Sequence, residues 1–226
     1  LTALGLHALQ HRGQEACGIT SYDRNKGRFT TERHLGLVGE HFTEPKRLER
    51  LTGDMAIGHV RYSTSGGSSM RNVQPLYADV RGGGIALAHN GNLTNARLLR
   101  EELVAGGAIF QSTSDSEVIL QLAARSKQPD SVERLISAFT QIEGAFALVA
   151  MTNDLLIGAR DPLGIKPLYA ARKGNLHAFA SEVKGLTPVV GAEVDTNALP
   201  ELLTFTWAAG SISNYKGIER VPGGTL

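Results

Sequence analysis

Apolar residues change their spacing along this chain, and the changes divide it into strand, helix and hairpin stretches. Leu1, Leu4, Ala8 and Leu9 recur at helical spacing and predict a first helix closing near Gly13. Residues 16–21 and 28–38 read as strands, the second interrupted by charge, and residues 55–62 as a third. A Ser/Gly-rich loop follows over residues 63–69. Residues 84–89 form a compact apolar strand that stops at Asn90-Gly91, a dipeptide suited to leaving regular pairing. Helical spacing then returns. Leu98, Leu99 and Leu103 lie on one side of a helix over 94–104, closed by Gly106-Gly107. The capping-box spacing of Ser114 and Glu117 opens a second helix that runs through Leu122 and Ala123. Val132, Leu135, Ile136 and Phe139 make the apolar stripe of a third, starting at Asp130. Beyond it come two hairpins: 145–151 with 155–159, turning at Asn153-Asp154, and 167–171 with 177–181, turning at Lys173-Gly174-Asn175. Strands, then helices, then strands do not alternate as parallel β-α-β units would. The pattern predicts an α+β fold, antiparallel sheets with helices packed outside, in one domain spanning 1–226.

Composition narrows the class. With 42% hydrophobic and 20% charged residues, the 226-residue chain can bury a sizeable core. A net charge of +1, without a dense Lys/Arg block, points away from nucleic acid. No apolar run approaches the ~20 residues that span a bilayer. The lone Cys17 rules out an intramolecular disulfide framework and fits a reducing cytoplasm. The chain opens on Leu1 inside a helical pattern and ends on Val221-Pro222-Gly223-Gly224-Thr225-Leu226. Both ends read as cut, so a fragment of a longer polypeptide is expected.

Candidate chemistry starts at Asn90 and Gly91. A carboxamide and a backbone N–H projecting together suit a developing oxyanion, and the competing reading is an ordinary hairpin turn. Arg61, at a strand end beside Tyr62-Ser63-Thr64, could hold a carboxylate or phosphate, or be a plain exposed arginine. The Ser/Gly run lacks the Gly-Lys-Ser/Thr closure of a phosphate-binding loop, and its glycines suit a closing segment. Asp115, in a first helical turn, could pair with a substrate ammonium or simply serve the helix. Cys17 with His11 is conceivable as a nucleophile pair, but Ala16-Cys17-Gly18-Ile19 favours a buried inert thiol. The seven histidines show no metal-ligand spacing, and no metal is expected in this domain. Together Asn90, Gly91, Arg61 and Asp115 describe a pocket for an α-amino acid with a reactive side-chain carbonyl. A nucleophile is missing.

Several segments resemble a known family. Leu9-Gln10-His11-Arg12-Gly13-Gln14-Glu15-Ala16, Gly58-His59-Val60-Arg61-Tyr62-Ser63-Thr64, Asn72-Val73-Gln74-Pro75, His89-Asn90-Gly91-Asn92-Leu93-Thr94-Asn95 and Thr113-Ser114-Asp115-Ser116-Glu117-Val118-Ile119 resemble, in order, the glutaminase domain of amidophosphoribosyltransferase, an N-terminal-nucleophile (type-2) glutamine amidotransferase. Arg160-Asp161-Pro162-Leu163-Gly164-Ile165-Lys166-Pro167-Leu168-Tyr169 and Phe179-Ala180-Ser181-Glu182-Val183-Lys184-Gly185-Leu186 look more like the glutaminase domain of asparagine synthetase. Both imply a four-layer α/β/β/α sandwich of two antiparallel sheets. They also imply Asn90 and Gly91 as the oxyanion hole, Arg61 for the glutamine α-carboxylate and Asp115 for its α-ammonium. Thr64 would belong to the segment closing over glutamine, and Arg12 would lie near the nucleophile.

The resemblance further implies an N-terminal cysteine whose own α-amine, with a pKa of ~7.7–8.0, acts as base. That cysteine should lie a short way upstream of Leu1, so the chain as given should shape a glutamine pocket without hydrolysing glutamine. The expected partners are L-glutamine and a C-terminal synthase domain of the same polypeptide, with a homo-oligomer for the full-length protein. The acceptor is expected to be phosphoribosyl pyrophosphate with Mg, in purine biosynthesis. ATP and aspartate are the alternative, and both acceptor sites would lie outside this domain. Competing readings are a catalytically dead glutamine-binding domain and a Cys17-dependent hydrolase.

Overall fold

Every residue of the first strand is buried, which demands cover on both of its faces. The computed structural model describes residues 1–62, 69–206 and 210–226. After helix α1 (Thr2–Ala8), strand β1 (Ala16–Asp23) pairs antiparallel with β2 (Arg28–Leu35) on one side. Two short helices, α2 (Val38–His41) and α3 (Pro45–Leu48), lead to β3 (Met55–Arg61), which pairs on the other side. Cys17 and Ile19 turn toward the helices and pack with Leu6, Val38 and Phe42. Tyr22 and Ile57 turn the opposite way, onto a second sheet.

That second sheet has the order β4 (Leu76–Val80), β5 (Gly83–Leu93), β6 (Gly144–Met151) and β7 (Leu156–Arg160), all antiparallel. The period of two along β5 separates its faces. Ile85, Leu87 and Leu93 face α4 (Ala96–Ala105), α5 (Ser116–Arg125) and α6 (Ser131–Phe139), in a core that includes the fully buried Val118, Ile119, Ala123 and Leu135. Ala86, Ala88 and Met151 face β1 and β3. A third sheet, β8 (Tyr169–Lys173), β9 (Leu176–Ala180) and β10 (Ile218–Arg220), sets Leu168, Phe179 and Val221 against Ala147 and Val149 of β6. Short helices α7 (Thr187–Val190) and α8 (Leu199–Phe205) precede β10. The expected α/β/β/α layering is present. Among the described residues, the β layer facing β4–β7 is divided into two three-stranded sheets.

Four local expectations change. In α1 the inward residue is Leu6, which packs with Ile19, Val38 and Phe42, and Leu9 just beyond the helix is buried as expected, while Leu1 and Leu4 are exposed. Val38 starts a helix instead of ending a strand. Strand β4 is an addition to the expected elements, a five-residue run in which Leu76, Ala78 and Val80 turn inward and alternate with the exposed Tyr77 and Asp79. The capping box does not form: Asp115 occupies the N-cap position, and Glu117 turns back to accept the N–H groups of Gln111 and Ser112.

Candidate active site

Asn90 and Gly91 do not form a turn. Strand β5 runs straight through them, pairing Asn90 with Ala147 and Gly91 with Phe146. Asn90 shares the face of Ala86 and Ala88, between the sheets, and its Nδ2 is buried without a hydrogen-bond partner. Gly91 leaves no room for a side chain. A Cβ there would stand 2.2 Å from the Ala145 carbonyl oxygen and 2.8 Å from Phe146 Cα. Strand β4 pairs β5 only as far as Leu87, so among the described residues no strand pairs with the edge of β5 beyond it. On that edge the His89 N–H donates to Gln74 Oε1 at 2.7 Å and the Leu93 N–H to Asp115 Oδ2 at 3.1 Å. Strand alternation carries the Gly91 N–H to the same edge, between two donors already taken.

Asp115 is therefore fastened to the strand that carries Asn90 and Gly91. A second link runs through His89, whose Nδ1 lies 3.0 Å from Ser116 Oγ and 3.8 Å from Asp115 Oδ1. The carbonyl oxygen of His89 faces both Gln74 Nε2 at 3.3 Å and His59 Nε2 at 3.2 Å. Burial, and then the neighbouring His89, pushes His59 down to about 4. Burial also lowers His89, against the opposing pull of the Asp115 carboxylate. Both imidazoles are neutral near pH 7 and place no positive charge beside Asn90 and Gly91.

Arg61 is buried, which removes the exposed-arginine reading. Its Nη1 stands 3.7 Å from Glu15 Oε2, and its main chain lies flush against Gly13, where a Cβ would meet Arg61 at 2.5 Å. Arg12 donates through Nη1 to Glu182 Oε1 at 2.9 Å, an oxygen it shares with His11 Nε2. The charges of Arg61 and Arg12 both act on His59 and help to lower its pKa. Thr64 and residues 65–68 lie outside the described residues.

Cys17 belongs to a different environment. It is fully buried against Leu6, Ile19 and Phe42, and burial, with the Glu40 charge, pushes its thiol up to about 11. His11 turns to Glu182 and Lys184, so the Cys17–His11 pair does not exist. Among the described residues, no three His, Cys, Asp or Glu side chains gather as a metal ion would need. The segment Arg160–Pro167 is a folding device: Arg160 donates to the carbonyls of Gly164, Lys166 and Val221, and Asp161 accepts the N–H groups of Ile165 and Lys166.

Four polar residues that hold the site drew no attention as site residues in the sequence: His59, Asn72, Gln74 and His89. The available signal was a histidine inside each of two otherwise apolar strands, since a buried polar side chain must find partners.

Comparison with known proteins agrees with this architecture. The model of the glutamine amidotransferase domain family matches residues 45–226. Amidophosphoribosyltransferase of Rhizobium etli is 55% identical over 193 residues, which is 85% of this chain and 38% of that protein. The enzyme of the same name from Methanothermobacter thermautotrophicus is 46% identical over 190 residues, covering 83% of this chain and 39% of that protein. The solved structure of glutamine phosphoribosylpyrophosphate amidotransferase from B. subtilis, complexed with ADP and GMP, superposes with a TM-score of 0.76. It is 40% identical, over 84% of this chain and 40% of its own. The chain thus spans about two-fifths of the length of these relatives.

Proposed function

Because the chain belongs to the glutamine amidotransferase domain family, we propose that its β5 edge beyond Leu87 is the place where the glutamine side-chain carbonyl becomes an oxyanion. The observation that carries this reading is the buried, unpartnered Asn90 Nδ2, next in sequence to the Gly91 N–H that strand alternation sends to this edge. A thiolate attacks the carboxamide carbon, and the carbonyl oxygen takes the electron pair between these two donors. The α-amine that took the thiol proton returns it to the leaving nitrogen as the tetrahedral species collapses, which breaks the C–N bond, releases ammonia and leaves a thioester. Water then hydrolyses the thioester to glutamate and frees the thiol. Donors already in position need no reorganisation as charge develops, which favours the transition state over bound glutamine.

Arg61 holds the glutamine α-carboxylate and Asp115 its α-ammonium, with Arg12 near the nucleophile and Thr64 in the segment covering the substrate. Cys17, buried with a raised pKa, is unsuited to be the nucleophile. The thiolate comes from an N-terminal cysteine ahead of Leu1. Ammonia passes to an acceptor bound by a synthase domain of the same polypeptide, with phosphoribosyl pyrophosphate and Mg as first choice, in line with the names of the relatives. The Arg160–Pro167 and Phe179–Leu186 segments keep asparagine synthetase chemistry, with ATP and aspartate, as the second acceptor reading. A homo-oligomeric, cytoplasmic enzyme completes the proposal; no helix among the described residues is long and apolar enough to cross a membrane.

The test is glutamate release from glutamine by the full-length protein. Hydrolysis stimulated by phosphoribosyl pyrophosphate and Mg is expected. Stimulation by ATP and aspartate instead would reassign the acceptor. Glutamine binding without hydrolysis would make the domain a sensor, and an intact rate with the N-terminal cysteine replaced would overturn the proposed chemistry.

A further inference from the structure

The segment Asn72-Val73-Gln74-Pro75 contributes nothing to the pocket as proposed, yet it is buried throughout, including its two polar side chains, Asn72 and Gln74. Strand β4 opposes Leu76 to Leu87, and continuing that register by two residues sets Gln74 opposite His89. The Gln74–Pro75 peptide is cis, and the main-chain pairing of β4 with β5 stops at Leu76. Instead the Gln74 carboxamide takes the place of a main-chain unit. Its Oε1 accepts the His89 N–H at 2.7 Å and its Nε2 faces the His89 carbonyl oxygen at 3.3 Å. This is the pair of bonds that two opposed residues exchange in an antiparallel ladder, made by a side chain.

Two residues earlier, Asn72 does the same to the other half of the site. Its Oδ1 accepts the Thr113 N–H at 2.9 Å, and its Nδ2 donates to Thr113 Oγ1 at 2.9 Å. His89 immediately precedes Asn90-Gly91, and Thr113 lies two residues before Asp115. We propose that Asn72 and Gln74 are positioning residues that together set the separation between the oxyanion donors of β5 and the ammonium-binding carboxylate of Asp115.

The proposal rests on the roles given above to Asn90, Gly91 and Asp115. It separates the two carboxamides by what each supports. Gln74 holds donors that act on charge present only in the transition state, so its loss lowers kcat. Asn72 holds a group that binds ground-state glutamine, so its loss raises KM.

The experiment measures glutaminase kcat and KM in the full-length protein, with melting temperature recorded beside them. Gln74→Met, which keeps the side-chain length and removes both bonds, is expected to lower kcat at least tenfold with KM within about twofold. Gln74→Glu lacks the donor toward the His89 carbonyl while ionised and regains it when protonated, so its kcat, relative to wild type, rises as pH falls from 8 to about 5.5. Asn72→Leu is expected to raise KM about tenfold. Asn72→Asp retains the acceptor for the Thr113 N–H, while the Thr113 hydroxyl turns to donate, and restores most of the affinity. If Gln74→Met cannot be recovered folded, the Gln74→Glu pH series decides the same point.

Equal losses of kcat and of active fraction, tracking melting temperature with no pH-dependent recovery, would overturn the proposal and leave a purely structural segment. Asn90→Ala, run in parallel, separates the layers of the argument. An undiminished rate in Asn90→Ala overturns the site reading and this proposal with it. A collapsed rate there, beside an unaffected Gln74→Met, overturns the positioning role alone.

Discussion

Asn90, Gly91 and Asp115 differ in how much each can be changed before the strand that carries them moves. Removing the Asn90 carboxamide deletes a donor that takes no part in the hydrogen bonding of the fold. Asn90→Ala is therefore expected to lower kcat by about 10²–10³ with little change in melting temperature, measured by glutamate release and thermal unfolding. Gly91→Ala acts differently, because its methyl group would sit 2.2 Å from the Ala145 carbonyl oxygen. The strand must shift, and both melting temperature and kcat should drop. Asp115→Asn keeps an oxygen for the Leu93 N–H and removes only the charge. A KM for glutamine raised about tenfold, at near-normal stability, is the expected result in steady-state kinetics.

At the scale of elements, β3, β5 and α5 meet through the two histidines, and that junction has a pH dependence. His59 is held down to about 4, against about 6.5 in an unfolded chain. The unfolded state therefore binds the extra proton first, and stability is lost as pH falls from about 6.5 toward 4. Above pH 7 both states are neutral and the contribution is flat. The decrease from His59 should be on the order of 2 kcal/mol, read as the change in unfolding free energy between pH 7 and 4.5. His59→Gln removes the titrating group and should flatten that part of the curve. Denaturation curves that stay equally steep in His59→Gln would show that another group sets the dependence. The helical block was read well because its spacing reports burial directly: Asp130 caps α6 through the N–H groups of Val132 and Glu133, and Leu135 is fully buried. The Asn-Gly strand end was misread. A local propensity to turn is weak beside eight consecutive pairings between β5 and β6.

At the scale of the whole molecule, the C-terminal third is tied to the rest by buried polar contacts. Asp161 is 1% exposed, and although burial raises its pKa, the N–H groups of Ile165 and Lys166 and other backbone donors outweigh this and hold the carboxyl below its usual range. Asp161→Ala leaves those donors unmet where β7 passes to β8. A loss of about 2–3 kcal/mol in unfolding free energy is expected by chemical denaturation. Arg12 and His11 reach across to Glu182, more than 150 residues away in sequence, so the 3-10 turn after α1 is anchored to the segment that follows β9. No local pattern announces a pairing at that distance.

The order of residue types along the chain determined the α+β class, the helical block, both C-terminal hairpins and Asn90, Gly91, Arg61 and Asp115 as candidate site residues. Each of these follows from a short-range rule: the period of a helix or strand, the geometry of a turn, or the charge and hydrogen-bonding capacity of one residue. Tertiary structure alone decided that Asn90 and Gly91 continue a strand and that Leu6 faces inward. It also decided which polar groups find partners and which, like Asn90 Nδ2, are left without one. The physical reason is that burial and hydrogen-bond satisfaction are properties of a residue's neighbours in space. Here those neighbours come from β4, β6, α5 and the Asn72–Pro75 segment, brought together only when the sheets close over one another.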